Sequence, residues 1–173
     1  MLSKNSVREF VEYAWDQTYD DVRWNNFEEV SLRLNSPDMV SLWVFNNIVY
    51  KSEKENEYAP ARIIFERGYD DCDGFAMFQS YCLKKNGYNA WNVCIGIFHP
   101  NGHNVCGYIL NGKYYVLDNY GVKKGPFSSW EELGDYYIKG ASIWLLDPFE
   151  VTKITTDSTH PSVVALHWQK IRN

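Results

Sequence analysis

Three patterns in this chain specify an α+β domain. Capped apolar segments fill its first half, alternating strand-like runs fill its second, and an Asn-Gly pair joins two of those runs. At 173 residues the chain is the size of one domain, 1–173. Ser6-Val7-Arg8-Glu9 is a capping box that opens a helix over residues 6–19. Ser36 and Pro37 form the N-cap and first turn of a second helix, whose apolar residues run from Met39 to Ile48. Residues 51–57 are polar and predict a loop. Pro60 opens a short helix that Gly68 closes. A longer helix starts at Cys72, buries Phe75, Phe78, Cys82 and Leu83, and stops at Lys84-Lys85-Asn86-Gly87.

The second half reads as strands. Residues 91–98 form one, and His99-Pro100-Asn101-Gly102 is a turn. Residues 103–110 and 113–119 form a hairpin across Asn111-Gly112, the residues a type I′ turn demands. Ser129 and Glu132 cap a further helix, residues 143–146 form another strand, and a last one is expected near 163–168. The expected architecture sets N-terminal helices, and the helix begun by Cys72, against an antiparallel sheet.

Composition excludes several classes of function. With a formal charge of −5 and no basic run beyond two lysines, no nucleic-acid partner is expected. No apolar run reaches the length of a bilayer span, and the N-terminus lacks the apolar core of a secretory leader, so no membrane partner and a cytoplasmic location are expected. None of the four cysteines forms a C-x-x-C pair, so neither a zinc site nor any other cofactor is expected.

Cys72 stands apart from Cys82, Cys94 and Cys106, which sit in apolar runs as small hydrophobes. It lies where a turn becomes a helix. There, unpaired backbone N–H groups and the helix dipole favour a thiolate. The hairpin register supplies its partners. With Leu110 opposite Lys113 and Tyr108 opposite Tyr115, Val105 falls opposite Asp118, which makes His103 and Asp118 diagonal neighbours on one face. Asp118 can then fix the tautomer of His103. A thiol, an imidazole and a carboxylate in these roles perform acyl transfer.

These residues resemble the transglutaminase-like superfamily, above all its bacterial cysteine proteinases. The resemblance rests on Asp71-Cys72-Asp73-Gly74-Phe75-Ala76, on His103 opening the strand to Leu110, and on Tyr114-Tyr115-Val116-Leu117-Asp118-Asn119. It covers about residues 36–121 and implies a papain-like fold. It also implies Cys72 as nucleophile, His103 as general base and then acid, and Asp118 as its orienter. An oxyanion hole would use the Cys72 backbone N–H and a second donor, for which Trp43, Asn46 and Asn47 are the candidates. Two departures stand out: Asp70 occupies the family's Gly position, and Gly74 the position of a second acid. Acids around the cysteine bind calcium in some relatives. Asp70, Asp71 and Asp73 would suit such a hard cation, although helix capping is the simpler role. The implied activity is hydrolysis of a peptide or amide bond in a protein or peptide substrate. Transamidation of glutamine by the same triad and a non-catalytic binding module are the alternatives. Oligomeric state leaves no mark on the sequence.

Overall fold

A computed structural model describes residues 26–52, 56–96, 102–157 and 168–172. The helix expected over 6–19, most of the turn at 99–102 and most of the strand expected at 163–168 lie outside them. Helices α1 (Phe27–Arg33), α2 (Pro37–Asn47), α3 (Ala61–Arg67) and α4 (Cys72–Lys85) precede the main strands. Asn26 and Ser36 accept backbone N–H bonds at the starts of α1 and α2. Gly68 ends α3 in the left-handed conformation, at φ 69°. The end of α4 is a Schellman motif. Gly87 N–H returns to Lys84 and Tyr88 N–H to Leu83, with Gly87 at φ 85°.

The sheet has six strands: β4 (Asn89–Ile95), β5 (His103–Leu110), β6 (Lys113–Leu117), β7 (Lys123–Phe127), β8 (Ile143–Leu146) and β10 (Trp168–Arg172). Their order is β10-β8-β4-β5-β6-β7, and every pairing is antiparallel. Helix α4 packs on one face of β4 and β5, beside Cys106, Tyr108 and Leu117. Helix α5 (Trp130–Tyr137) covers the opposite face, where Val93, Val105 and Val116 meet Trp130 and Leu133. Burial on both faces explains why β4 reads as a nearly continuous apolar run rather than an alternating one.

Two further pairings were invisible locally. β1 (Val49–Tyr50) lies parallel to β3 (Tyr69–Asp70). β2 (Asn56–Tyr58), which overlaps the end of the segment 51–57 expected to be loop, pairs with β9 (Thr155–Asp157). Segments of two or three residues have no period to read, and contacts distant in sequence create them. Trp168, the one residue of the expected last strand that is described, aligns with Leu146 on β8. Among the described residues, no helix is long and apolar enough to cross a membrane.

Candidate active site

Cys72 is the first residue of α4, and Asp71 is its N-cap. The Asp71 side chain accepts the Asp73 N–H at 3.2 Å, which spends one orphan donor of the helix start. The thiol is partly exposed, whereas Cys82, Cys94 and Cys106 are buried, and all four are free. Burial pushes the Cys72 thiol up to about 12. The backbone N–H of Asn104 offsets part of this, and the charges of Asp71 and Asp73 add to it. The dipole argument for a ready thiolate therefore loses to desolvation and neighbouring carboxylates.

Asn104 is also the anchor beneath this turn. Its amide donates to Asn92 Oδ1 at 3.0 Å, and the Asn92 amide donates to the Asp73 carbonyl at 3.3 Å. This buried relay ties the first turn of α4 to β4 and β5. It also places the thiol beside the second residue of the strand that His103 begins.

The hairpin register is the one the Asn111-Gly112 turn dictates. Leu110 lies opposite Lys113, Tyr108 opposite Tyr115, and Cys106 opposite Leu117. Asn111 and Gly112 take φ 51° and 71°, as a type I′ turn requires. The strand expected to reach 119 stops at Leu117: there the chain leaves the ladder, the expected pairing of Val105 with Asp118 is not made, and Asp118 instead caps a 3₁₀ turn over Asn119–Gly121. The diagonal contact survives this. His103 Nε2 and Asp118 Oδ1 are 2.7 Å apart. With Nε2–H donating to the carboxylate, Nδ1 is left with its lone pair, as a proton acceptor must be.

Asp118 has partners that no local pattern signals. Lys124 from β7 bonds its Oδ2, the Tyr137 hydroxyl donates to the same oxygen at 2.8 Å, and Asn119 N–H donates to Oδ1 at 2.8 Å. The Gln79 amide from α4 holds the Asp118 carbonyl at 3.2 Å. Burial alone would raise this carboxyl. The bonds from His103, Lys124 and Asn119 overcome it and hold Asp118 well below the usual carboxylate range. Tyr137 also lies 5.5 Å from the His103 ring, centroid to centroid, and so flanks the imidazole. Lys124 and Tyr137 are 13 residues apart, on a strand and a helix, and only the fold unites them.

Trp43 is a core residue, 4% exposed and stacked on Phe78 and Phe65 at 4.8 and 5.6 Å. Asn46 and Asn47 are exposed and donate back to the Leu42 and Trp43 carbonyls of their own helix. These placements leave the second oxyanion donor unassigned.

Side-chain oxygens of Asp70, Asp71 and Asp73 lie within 4.8 Å of one another, a spacing that a hard cation could bridge. Asp71 caps α4, and Asp70 is bonded by the Arg67 guanidinium, which also holds Glu57 at 2.6 Å. Asp70 is fully buried, and that burial raises its carboxyl to about 6 despite Arg67. The two sequence departures explain each other. A Cβ at position 74 would meet the Asp70 carboxylate at 2.0 Å, so Gly74 is the space Asp70 fills.

No family model and no curated protein matches the chain. Among solved structures, a proposed cysteine protease from Cytophaga hutchinsonii is similar over 96% of this chain, at 14% identity and a TM-score of 0.40. This chain spans 52% of that protein's length. LapG of Legionella pneumophila is similar over 69% of this chain and 74% of its own, at 15% identity and a TM-score of 0.37.

Proposed function

We propose that this chain is a cysteine-dependent acyl-transfer enzyme of papain-like, transglutaminase-like architecture that hydrolyses a peptide or amide bond. The contact that carries this reading is His103 to Asp118 at 2.7 Å, next along β5 from the amide that meets the Cys72 thiol. Asp118 orients the imidazole through Nε2. Nδ1 takes the thiol proton as Cys72 Sγ attacks the carbonyl carbon. Because burial and the flanking acids keep the resting thiol protonated, proton transfer accompanies attack instead of preceding it. The Cys72 backbone N–H, an orphan donor of the helix start, stabilises the oxyanion. His103 then returns the proton to the leaving amine, and water releases the acyl group. An amine in place of water would give transamidation through the same steps. The substrate is a protein or peptide met in the cytoplasm, where thiols stay reduced.

The protonated thiol favours one rival, a binding module without chemistry. p-Nitrophenyl acetate separates the two readings. An acyl-transfer enzyme releases a burst of p-nitrophenol, Cys72→Ala removes it, and His103→Ala slows it by roughly 10² to 10⁴-fold. A burst of equal size in wild type and Cys72→Ala would overturn the nucleophile assignment.

A further inference from the structure

We propose that an exposed aromatic shelf beside Cys72 is the substrate subsite, and that it takes a bulky apolar side chain of an extended peptide and rejects an acidic one. The inference rests on the assignment of Cys72 as nucleophile and adds the class of substrate. Phe45, Tyr50 and Tyr120 are 65%, 39% and 43% exposed, an unusual state for large rings placed together. Tyr120 lies 6.3 Å from Phe45 and 6.5 Å from Tyr50, and Tyr120 and Tyr50 flank the buried Phe75 at 5.4 and 6.0 Å. Phe75 is one helical turn beyond Cys72, so the shelf adjoins the thiol. The Tyr50 hydroxyl is raised first by burial and next by Cys72, in keeping with that proximity.

The shelf is built at a cost. Tyr120 has φ 58°, a left-handed conformation that a bulky residue seldom adopts. The neighbouring Gly121 is also left-handed, at φ 70°, and its missing Cβ would lie 2.3 Å from the Ser41 Cα. The close approach of this turn to α2 aims the Tyr120 ring back over Phe75. A surface residue without a role has no need of that constraint.

Backbone recognition sits alongside. Val49 and Lys51 spend their N–H groups on Gly68 and Asp70, so the Tyr50 N–H and C=O point to the other edge of β1. Among the described residues no strand pairs with that edge. An extended peptide can bond there while one side chain lies on the shelf and its carbonyl reaches Cys72. Asp71 and Asp73 repel a carboxylate at this position. Among the described residues, Lys51 lies over the Tyr69 ring at 4.1 Å and Lys123 pairs with Asp38 at 3.8 Å.

Three acetyl-aminoacyl chloromethyl ketones, carrying phenylalanine, glycine or aspartate side chains, test this. Each reacts by forming a C–S bond to Cys72 as C–Cl breaks. Chloride leaves, and the thiol proton passes to the base. Iodoacetamide, which has no side chain to place, normalises the rates. The phenylalanyl probe is expected to exceed the glycyl one by roughly 10 to 100-fold, the worth of burying one aromatic ring, with the aspartyl probe slowest. In Phe45→Ala/Tyr120→Asn, where asparagine tolerates the left-handed backbone, the phenylalanyl-to-glycyl ratio falls towards one. Equal normalised rates in the wild type, or a ratio unchanged in the variant, would overturn the subsite while leaving the nucleophile standing. Absence of iodoacetamide adducts at Cys72 would remove both.

Discussion

Cys72 illustrates how one residue's setting can reverse a simple expectation. A helix start favours thiolate, yet burial and two flanking carboxylates set the thiol at about 12. Alkylation by iodoacetamide is therefore expected to accelerate about tenfold per pH unit from 7 to 10, as thiolate accumulates. A plateau below pH 8 would show that the thiolate is already formed. Asp118 behaves oppositely, with a carboxyl held far below its unfolded value of about 3.9. Its stabilising contribution is present above that value and is lost as pH falls towards the folded one. At pH 7, Asp118→Asn should cost about 2 to 4 kcal/mol, because it leaves Lys124 without its ion pair in a half-buried site. Below pH 4 the difference from wild type should shrink, a trend that urea unfolding at stepped pH would record. Gly74→Ala forces a methyl onto Asp70 and should cost about 2 to 4 kcal/mol. Adding Asp70→Ala should return part of that loss, since the two effects share one space.

Elements were legible where local chemistry defines them. Ser36 and Ser129 begin helices, and Gly68 and the Gly87 motif end them, as expected, because each satisfies orphan backbone groups within a few residues. The Asn111-Gly112 turn and the register it sets were legible as far as Leu117, but the departure of Asp118 from the ladder into a 3₁₀ turn was not. Helix α1 and strand β7 were not anticipated. Helix α1 depends on α4: the Asn86 amide reaches the Ser31 and Leu34 carbonyls of α1 as well as Cys82. Strand β7 carries Gly125 and Pro126, residues that usually deny a strand, and it exists as an edge where a missing N–H is tolerated. Asn86→Ala should therefore loosen α1 selectively. We expect a loss of about 2 kcal/mol, with earlier proteolysis near residues 26–35 than elsewhere.

For the whole molecule, α+β class and the order of helices before sheet were readable from patterning alone. The layout of helices on both faces was not, since no short pattern says which strand face a distant helix covers. Nor did spacing reveal that Lys124 and Tyr137 converge on Asp118, or that Arg67 locks Asp70. Burial makes a molecular-scale prediction. In the folded protein the three core cysteines are inaccessible, so mass spectrometry after alkylation at pH 9 should find one adduct, at Cys72, and four after denaturation. More than one adduct in the folded state would contradict the two-faced core.

The sheet order puts β5 between β4 and β6, with two strands beyond β4 on one side and one beyond β6 on the other. The amides of β5 are thus shielded from deuterium until the whole sheet opens, and His103 starts that strand. Slowest hydrogen exchange should fall there, at rates set by global unfolding. Heating should then break the His103–Asp118 contact and the folded structure in one transition, with no range of temperature over which an intact protein has already lost that pair.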